Sequence, residues 1–269
     1  MSQRIISRST WVLFGSTIAF IALAAILVTL KVGGEAGIVA VSDIHETLVV
    51  GLAAAVILRA AVRLGPLGSV GKPWLLIGLG TFSYFVGDFI WTVIEVGMQQ
   101  EVPYPGWPDV FYLLEYPFVA WGLLTAGLAF RGLVPLRRPA TIAIVTGGGL
   151  AAIVYFALLK PFVLNEPGVS TAEMLFSSLY PLGDVLLMIA PAVFVLSVMA
   201  SLGGGRLVWP WRAVAAGTVV IAITDVAYSW LSTYDLYSSG SVIDYGWGIG
   251  HALLMLGALI ASDLATERS

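Results

Sequence analysis

Four carboxylate side chains stand within long hydrophobic stretches of this 269-residue sequence: Asp88, Glu115, Asp184 and Asp225. A charged group at the centre of a bilayer costs about 2.5–3.5 kcal/mol on insertion scales, so residues of this kind often bind an ion or a polar ligand, or carry protons. A lone membrane aspartate can instead hydrogen-bond a neighbouring helix and hold its packing, and for Asp184 that structural interpretation stays open beside the functional one. These acids are the first candidates for a functional site.

Helical spacing places aromatic and polar residues beside the acids. Trp91 and Glu95 lie three and seven residues after Asp88, on the same face of a helix. Tyr228 has the same three-residue spacing from Asp225. This spacing predicts an acidic cavity lined by aromatic rings. Its predicted ligand-binding residues are Asp88, Trp91, Glu95, Glu115, Asp184, Asp225, Tyr228 and His251.

Two histidines suggest that a divalent metal is an alternative occupant of the predicted cavity. A divalent metal is also the one cofactor that the sequence indicates. His45 and Glu46 open the second hydrophobic segment and His251 lies in the last, and imidazole and carboxylate groups both bind zinc. The absence of cysteine excludes thiolate ligands and disulfides. Membrane hydrolases of the alkaline ceramidase and adiponectin receptor type hold zinc with three histidines, so a carboxylate would have to replace one here. We therefore expect binding rather than catalysis.

The composition is that of an integral membrane protein, with 59% hydrophobic residues, 11% charged residues and a mean hydropathy of +0.95. A membrane-spanning helix needs about 20 apolar residues. The sequence therefore predicts an all-α polytopic protein, a single transmembrane domain over residues 1–269. Its eight predicted helices cover about 10–30, 42–63, 73–96, 109–130, 140–159, 173–202, 212–233 and 242–264.

Charges in the connecting loops alternate along the chain. Of the 13 Lys and Arg residues, 11 lie in the tails or the even-numbered loops; Lys31 and Lys160 are the exceptions. Of the 16 acids, all but Asp263 and Glu267 lie in the odd-numbered loops or the segments beside them. The positive-inside rule then predicts a multi-pass protein of the cell membrane with both termini in the cytoplasm and its acidic cavity facing outward.

An internal repeat relates segments three and seven. Both contain a Gly-Thr pair, an aspartate seven residues after the threonine and an aromatic residue three positions later. The pattern is Gly80, Thr81, Asp88 and Trp91 in one segment and Gly217, Thr218, Asp225 and Tyr228 in the other. Each is followed by a segment that opens with an acid, Asp109 or Asp244. The repeat predicts duplicated helix hairpins.

Residues 87–91 (GDFIW) and 108–117 (PDVFYLLEYP) resemble a known kind of membrane region. They are similar to the multi-spanning N-terminal sensor regions that precede GGDEF, EAL and histidine kinase domains in bacteria and some archaea. The likeness covers roughly segments three to eight and implies a sensor whose ligand is unassigned. No output domain follows Ser269 in this sequence, so we expect a free-standing relative of these regions, output through a separate cytoplasmic signalling partner, or a resemblance of architecture alone.

These observations together predict a receptor-like membrane sensor that binds a small ligand or a cation. Its expected partners are the lipid bilayer, that ligand and the signalling partner. Nucleic acid is excluded because the basic loops hold only two or three charges each. An ion- or proton-coupled transporter and a membrane-embedded metal-dependent hydrolase remain the alternatives.

Overall fold

A computed structural model describes residues 6–164, 169–234 and 236–267, which form helices and turns without any β-strand. Eight helices in this part of the chain are long and apolar enough to cross a membrane, which confirms the all-α prediction and the predicted number of long apolar helices. They are α1 (Arg8–Thr29), α2 (Gly34–Arg63), α3 (Gly71–Gly97), α4 (Trp107–Leu128), α5 (Arg137–Leu159), α6 (Thr171–Ser201), α7 (Arg206–Ser232) and α8 (Asp244–Thr266).

Helix α2 begins at Gly34 rather than near residue 42, the start that the sequence predicts. Gly33 and Gly34 have φ values of +84° and +69°, in the left-handed region that glycine adopts without steric cost. They turn the chain sharply after α1, so the next helix starts at once. As a result, Asp43 and Glu46 lie inside α2 rather than in its first turn.

Three π-helical turns interrupt the spanning helices, at Val93–Gly97, Tyr155–Leu159 and Asp184–Ile189. Such turns are rare and often mark functional sites. Two of them contain candidate acids: Glu95 in α3 and Asp184 in α6. In α3 and α6 the wider backbone thus coincides with a carboxylate, whereas the turn in α5 contains none.

Small residues let the helices approach closely, as expected where lipid removes the hydrophobic drive for association. A Cβ atom added to Gly217 in α7 would lie 2.6 Å from the carbonyl oxygen of Gly250 in α8. On the other side of the bundle, Gly127 in α4 packs in the same way against the ring of Phe194 in α6. Close backbone contact between α7 and α8 thus depends on glycine.

Substituting Gly217→Ala should destabilise the protein by about 1 kcal/mol or more, because the new methyl group overlaps a backbone carbonyl that cannot move aside. Gly148→Ala is the matched control, since a Cβ atom there meets nothing within 4 Å. Thermal unfolding in detergent measures both variants. A Gly217→Ala protein as stable as the control would contradict this packing.

Both ends of the described chain meet at one end of the bundle. The Ser7 amide and the Thr10 hydroxyl each donate to Asp263 Oδ2 at 2.8 Å. Glu267, at the C-terminal end of the described chain, forms an ion pair of 2.6 Å with Arg206. We call this the termini end. The loops that join α1 to α2, α3 to α4, α5 to α6 and α7 to α8 lie at the opposite end, the odd-loop end.

Candidate functional site

A cavity of about 730 Å³ lies in the half of the bundle nearest the odd-loop end. Helices α2 to α8 all contribute to its wall, together with Tyr104, Val163, Val169 and Tyr237 from the loops. Its volume is within the range of about 300–1,000 Å³ found for small-molecule sites. The bundle therefore contains a space large enough for an organic ligand.

Carboxylates and aromatic rings dominate the lining, and no Lys, Arg or His occurs among the described residues that form it. The eight acidic residues are Asp43, Glu46, Asp88, Asp109, Glu115, Glu173, Asp225 and Asp244. The aromatic residues are Tyr84, Trp91, Tyr104, Tyr112, Tyr116, Tyr180, Tyr228, Tyr237 and Trp247. A space of this composition favours positively charged contents.

Three of the lining acids each have a buried oxygen without a hydrogen-bond partner: Asp43 Oδ2, Asp88 Oδ2 and Asp244 Oδ1. The second carboxylate oxygens of Asp88 and Asp244 each accept a hydrogen bond from a hydroxyl group. The Tyr112 hydroxyl donates to Asp88 Oδ1 at 3.0 Å, and the Ser42 hydroxyl donates to Asp244 Oδ2 at 3.0 Å. A buried acceptor left without a donor costs about 1–3 kcal/mol. Each of these oxygens belongs to a residue that lines the cavity but has almost no accessible surface itself, so a donor in the cavity would reach it after a rotation of the carboxyl group.

Trp91 and Glu95 lie where the helical spacing places them, at the odd-loop end of α3. The Trp91 indole donates to Glu95 Oε2 at 2.5 Å, and the Ser239 hydroxyl donates to Glu95 Oε1 at 2.9 Å. Trp91 lines the cavity, whereas Glu95 is not among the lining residues. Glu95 thus connects α3 to the loop before α8 and orients the indole.

Asp184 and Asp225 share one hydrogen-bond donor. The Tyr116 hydroxyl lies 3.1 Å from Asp184 Oδ1 and 3.2 Å from Asp225 Oδ2, and the Trp247 indole donates to Asp225 Oδ1 at 2.6 Å. A phenol has a single proton. That proton can be donated to one acid or shared by both, and a proton on either carboxyl group would let that group donate back to the phenol oxygen. In this group, which joins α4, α6, α7 and α8, two acids can therefore share a proton.

Glu115 lines the cavity and contacts His251, which is completely buried behind it. His251 Nε2 lies 3.2 and 3.3 Å from the two Glu115 oxygens, while Nδ1 lies 2.9 Å from the Trp247 carbonyl. A carbonyl only accepts, so Nδ1 carries a proton, and the contact at Nε2 needs another from either group. The Tyr84 ring covers the imidazole at 4.5 Å. Glu115 and His251 thus form a second proton-sharing pair.

Two loop tyrosines stand at the odd-loop end of the cavity. Partial burial raises the pKa of Tyr104 to about 12, and burial raises the pKa of Tyr237 well above its usual value. Both phenols are therefore neutral at physiological pH. The Tyr104 hydroxyl contacts that of Ser177 at 2.8 Å, and the Tyr237 ring packs edge-on against Tyr228. These rings contribute hydrogen bonds and aromatic surface but no charge.

The three predicted metal ligands do not come together. Glu46 lines the cavity, but His45 lies behind it against the ring of Tyr245, and His251 pairs with Glu115. Across residues 6–164, 169–234 and 236–267, no three His, Cys, Asp or Glu side chains form a group that could hold a metal ion. The donor set expected from the sequence is therefore not assembled in this structure.

Several residues of the site are not among the predicted ones, and most of them are aromatic donors to the acids. Trp247, which is not among the predicted ligand-binding residues, donates to Asp225. Tyr112 and Tyr116 lie three and seven residues after Asp109 on α4, the same spacing that relates Trp91 and Glu95 to Asp88. Applying the helical-face argument to Asp109 would have found both tyrosines.

Comparisons of the chain with protein-family models, curated proteins and solved structures find no match. The chemistry of the cavity itself is therefore the basis for assigning a function.

Proposed function

We propose that this protein is a receptor-like membrane binding module that takes a small organic cation into the cavity. The observation that carries the proposal is a lining of eight carboxylates and nine aromatic rings without a basic side chain among its described residues. Carboxylates attract an ammonium group, and aromatic faces stabilise it further through their quadrupoles. An anionic or purely apolar ligand fits this lining poorly.

The cavity faces the outside of the cell in this proposal. Lys and Arg cluster in the tails and even-numbered loops, so the positive-inside rule favours a cytoplasmic termini end and an external odd-loop end. The cell membrane is then the site of action, and the acidic odd-numbered loops draw cations toward the entrance. The orientation can be tested by attaching cysteine-reactive labels to single cysteines introduced into the loops.

We further propose that α3–α4 and α7–α8 arose by duplication of one hairpin. Asp88 in α3 accepts from Tyr112 in α4, and Asp225 in α7 accepts from Trp247 in α8. The partners are 24 and 22 residues apart, respectively. The repeated sequence pattern and the similar carboxylate–aromatic contacts support a common origin.

Helix α8 is the element that could transmit binding to the cytoplasm. Asp244 and Trp247 contact the cavity at one end of α8, and Asp263 bonds the N-terminal segment at the other. A cation that draws Asp244 toward itself would move the whole helix, because a helix behaves as a stiff rod. A separate cytoplasmic signalling partner at the termini end would receive that movement.

A proton-coupled transporter is the second candidate, favoured by the proton-sharing pairs Asp184–Asp225 and Glu115–His251. A transport path would also have to cross the apolar core toward the termini end, where Ile57, Ile77 and Leu123 are fully buried. We therefore rank binding above transport. Cation flux into liposomes that contain the purified protein would reverse this order.

Butylamine, butanol and butanoate have similar shapes and differ in charge, so they test the proposal directly. A ligand that binds only the folded protein raises its unfolding temperature. We expect butylamine to raise the unfolding temperature of the detergent-solubilised protein, and butanol and butanoate to leave it unchanged. Equal stabilisation by butanol, or no effect of the amine, would refute the proposal.

Asp88→Asn and Asp225→Asn should each weaken the response to cations while leaving expression nearly intact. Each change removes a charge from the cavity and keeps a side chain that still accepts from Tyr112 or Trp247. A cation bound at the replaced acid loses a charge-assisted contact of about 1.5–3 kcal/mol, or about 10- to 100-fold in affinity, whereas a cation bound elsewhere in the cavity loses less. Glu35→Gln, an exposed acid outside the cavity, is the control. If both variants only misfold, the acids have a structural role.

A further inference from the structure

We propose that the bound cation is a linear diamine or polyamine, whose ammonium groups occupy two similar half-sites in one cavity. This inference rests on the proposed function and specifies its ligand class. The first half-site contains Asp88 and the second contains Asp225, and both residues line the same space.

Each half-site combines a carboxylate with a pair of aromatic rings. Beside Asp88, the Tyr112 hydroxyl is the donor, and the rings of Tyr112 and Tyr84 are 4.6 Å apart. An ammonium group at the Asp88 carboxylate would therefore also lie against aromatic faces, which favours a protonated amine over a hydrated inorganic ion.

The second half-site also combines a carboxylate with two aromatic rings from other helices, but both Asp225 oxygens already accept hydrogen bonds, from Trp247 and Tyr116. Beside Asp225, the Trp247 indole is the donor, and the rings of Trp247 and Tyr228 are 5.6 Å apart. Two sites of one chemistry within one cavity match a ligand that carries the same cationic group at both ends. The other aromatic rings of the lining provide apolar surface for a chain of methylene groups.

Unpartnered acceptors on three lining residues are a second observation, and they favour a ligand with several N–H donors. Asp43, Asp88 and Asp244 are 8%, 6% and 2% exposed, and each has a buried oxygen without a partner among the described residues. They lie on α2, α3 and α8. A single ammonium group brings one charge to these three carboxylates, whereas a polyamine brings several charges and several N–H donors.

The arrangement of the acids separates this ligand class from a metal ion. A divalent metal needs several donors that converge on one point. No such convergent group of three is present in the described part of the chain, although eight acids line the cavity. Carboxylates that are numerous but dispersed fit charges spaced along a flexible chain.

The test compares probes that differ in the number of ammonium groups, with binding to the full-length protein in detergent measured by calorimetry. The probes are 1,4-diaminobutane, spermidine, butylamine and Ca²⁺. We expect 1,4-diaminobutane or spermidine to bind on the order of 10- to 100-fold more tightly than butylamine, because each further ammonium gains charge-assisted hydrogen bonds.

Variants identify the half-sites. Asp88→Asn or Asp225→Asn alone should reduce the affinity of the better amine to about that of butylamine, while butylamine itself loses little because the other half-site remains. The double variant should bind neither amine, and Glu35→Gln should behave as the unmodified protein. Unfolding temperature and size-exclusion profile show that each variant is folded.

The outcomes separate the two proposals. If butylamine binds as tightly as both polyamines and the acid variants abolish its binding, the cavity is a monoamine site and the present inference fails while the proposed function stands. Tighter binding of Ca²⁺ than of any amine overturns the inference in favour of an inorganic ion. If no cation binds, both proposals fail.

Discussion

Replacing Glu115 with alanine will destabilise the protein by about 3–5 kcal/mol, the usual cost of leaving one member of a buried ion pair without its partner. His251 has no exposed surface, and its Nε2 atom faces Glu115 at 3.2 Å. The Tyr84 ring packs against the imidazole at 4.5 Å, and truncation of Glu115 leaves only water from the cavity as a new partner for Nε2. Unfolding with SDS in mixed micelles, followed by circular dichroism, measures the change.

Glu115→Gln separates hydrogen bonding from charge in this pair. The glutamine amide can donate to Nε2 of a neutral His251 imidazole, while the Nδ1 N–H of that ring still donates to the Trp247 carbonyl. We therefore expect Glu115→Gln to cost much less than Glu115→Ala. In a double-mutant cycle with His251→Ala, the combined loss should be clearly smaller than the sum of the single losses. Additive losses would mean that the two residues act independently.

Tyr116→Phe should have the second largest effect, a loss of up to about 3 kcal/mol, because one hydroxyl serves two buried carboxyl groups. Asp184 is 1% exposed, and its Oδ2 atom already has no partner. Without the phenol, Asp184 Oδ1 loses its hydrogen bond as well, whereas Asp225 keeps the Trp247 indole. Thermal unfolding of the purified variant measures the loss.

Tyr112→Phe is the matched control, since Tyr112 lies one turn earlier on the same helix and donates to a single carboxylate. Its loss should be about 0.5–1.5 kcal/mol, because Asp88 lines the cavity and can use water instead. Adding Asp184→Asn to Tyr116→Phe should recover part of the stability, since an amide is less costly to bury than a carboxylate. Equal effects of the two tyrosine variants would show that Tyr116 does not bridge the acids.

The helices could be predicted from the sequence because the relevant signals are local. Length and hydropathy define eight spans, and each predicted span overlaps one of the observed helices. The predicted start of α2 is eight residues late, since the polar side chains of Asp43 and Glu46 resemble an interfacial turn when their neighbours are unknown. In the bundle these side chains face a cavity, so the helix continues through them.

The site could be predicted only in part. Asp88 and Trp91 share one face of α3, and Asp225 and Tyr228 share one face of α7. Helical periodicity alone indicates that the two residues of each pair point the same way. The roles of Tyr116 and Trp247 could not be derived in this way, because their carboxylate partners lie on other helices, up to 109 residues away. Likewise, nothing local in the sequence distinguishes His45, which lies behind the cavity wall, from Glu46, which lines it.

The sequence by itself therefore determined the number of spanning helices, the sorting of charge between the loops and the presence of acids within the apolar segments. Each of these properties depends on residues close together in the chain. Only the tertiary structure decided which acids share a cavity, which share a proton and which histidine pairs with Glu115. Those relations depend on how each helix is rotated against its neighbours, and close packing at residues such as Gly217 sets that rotation.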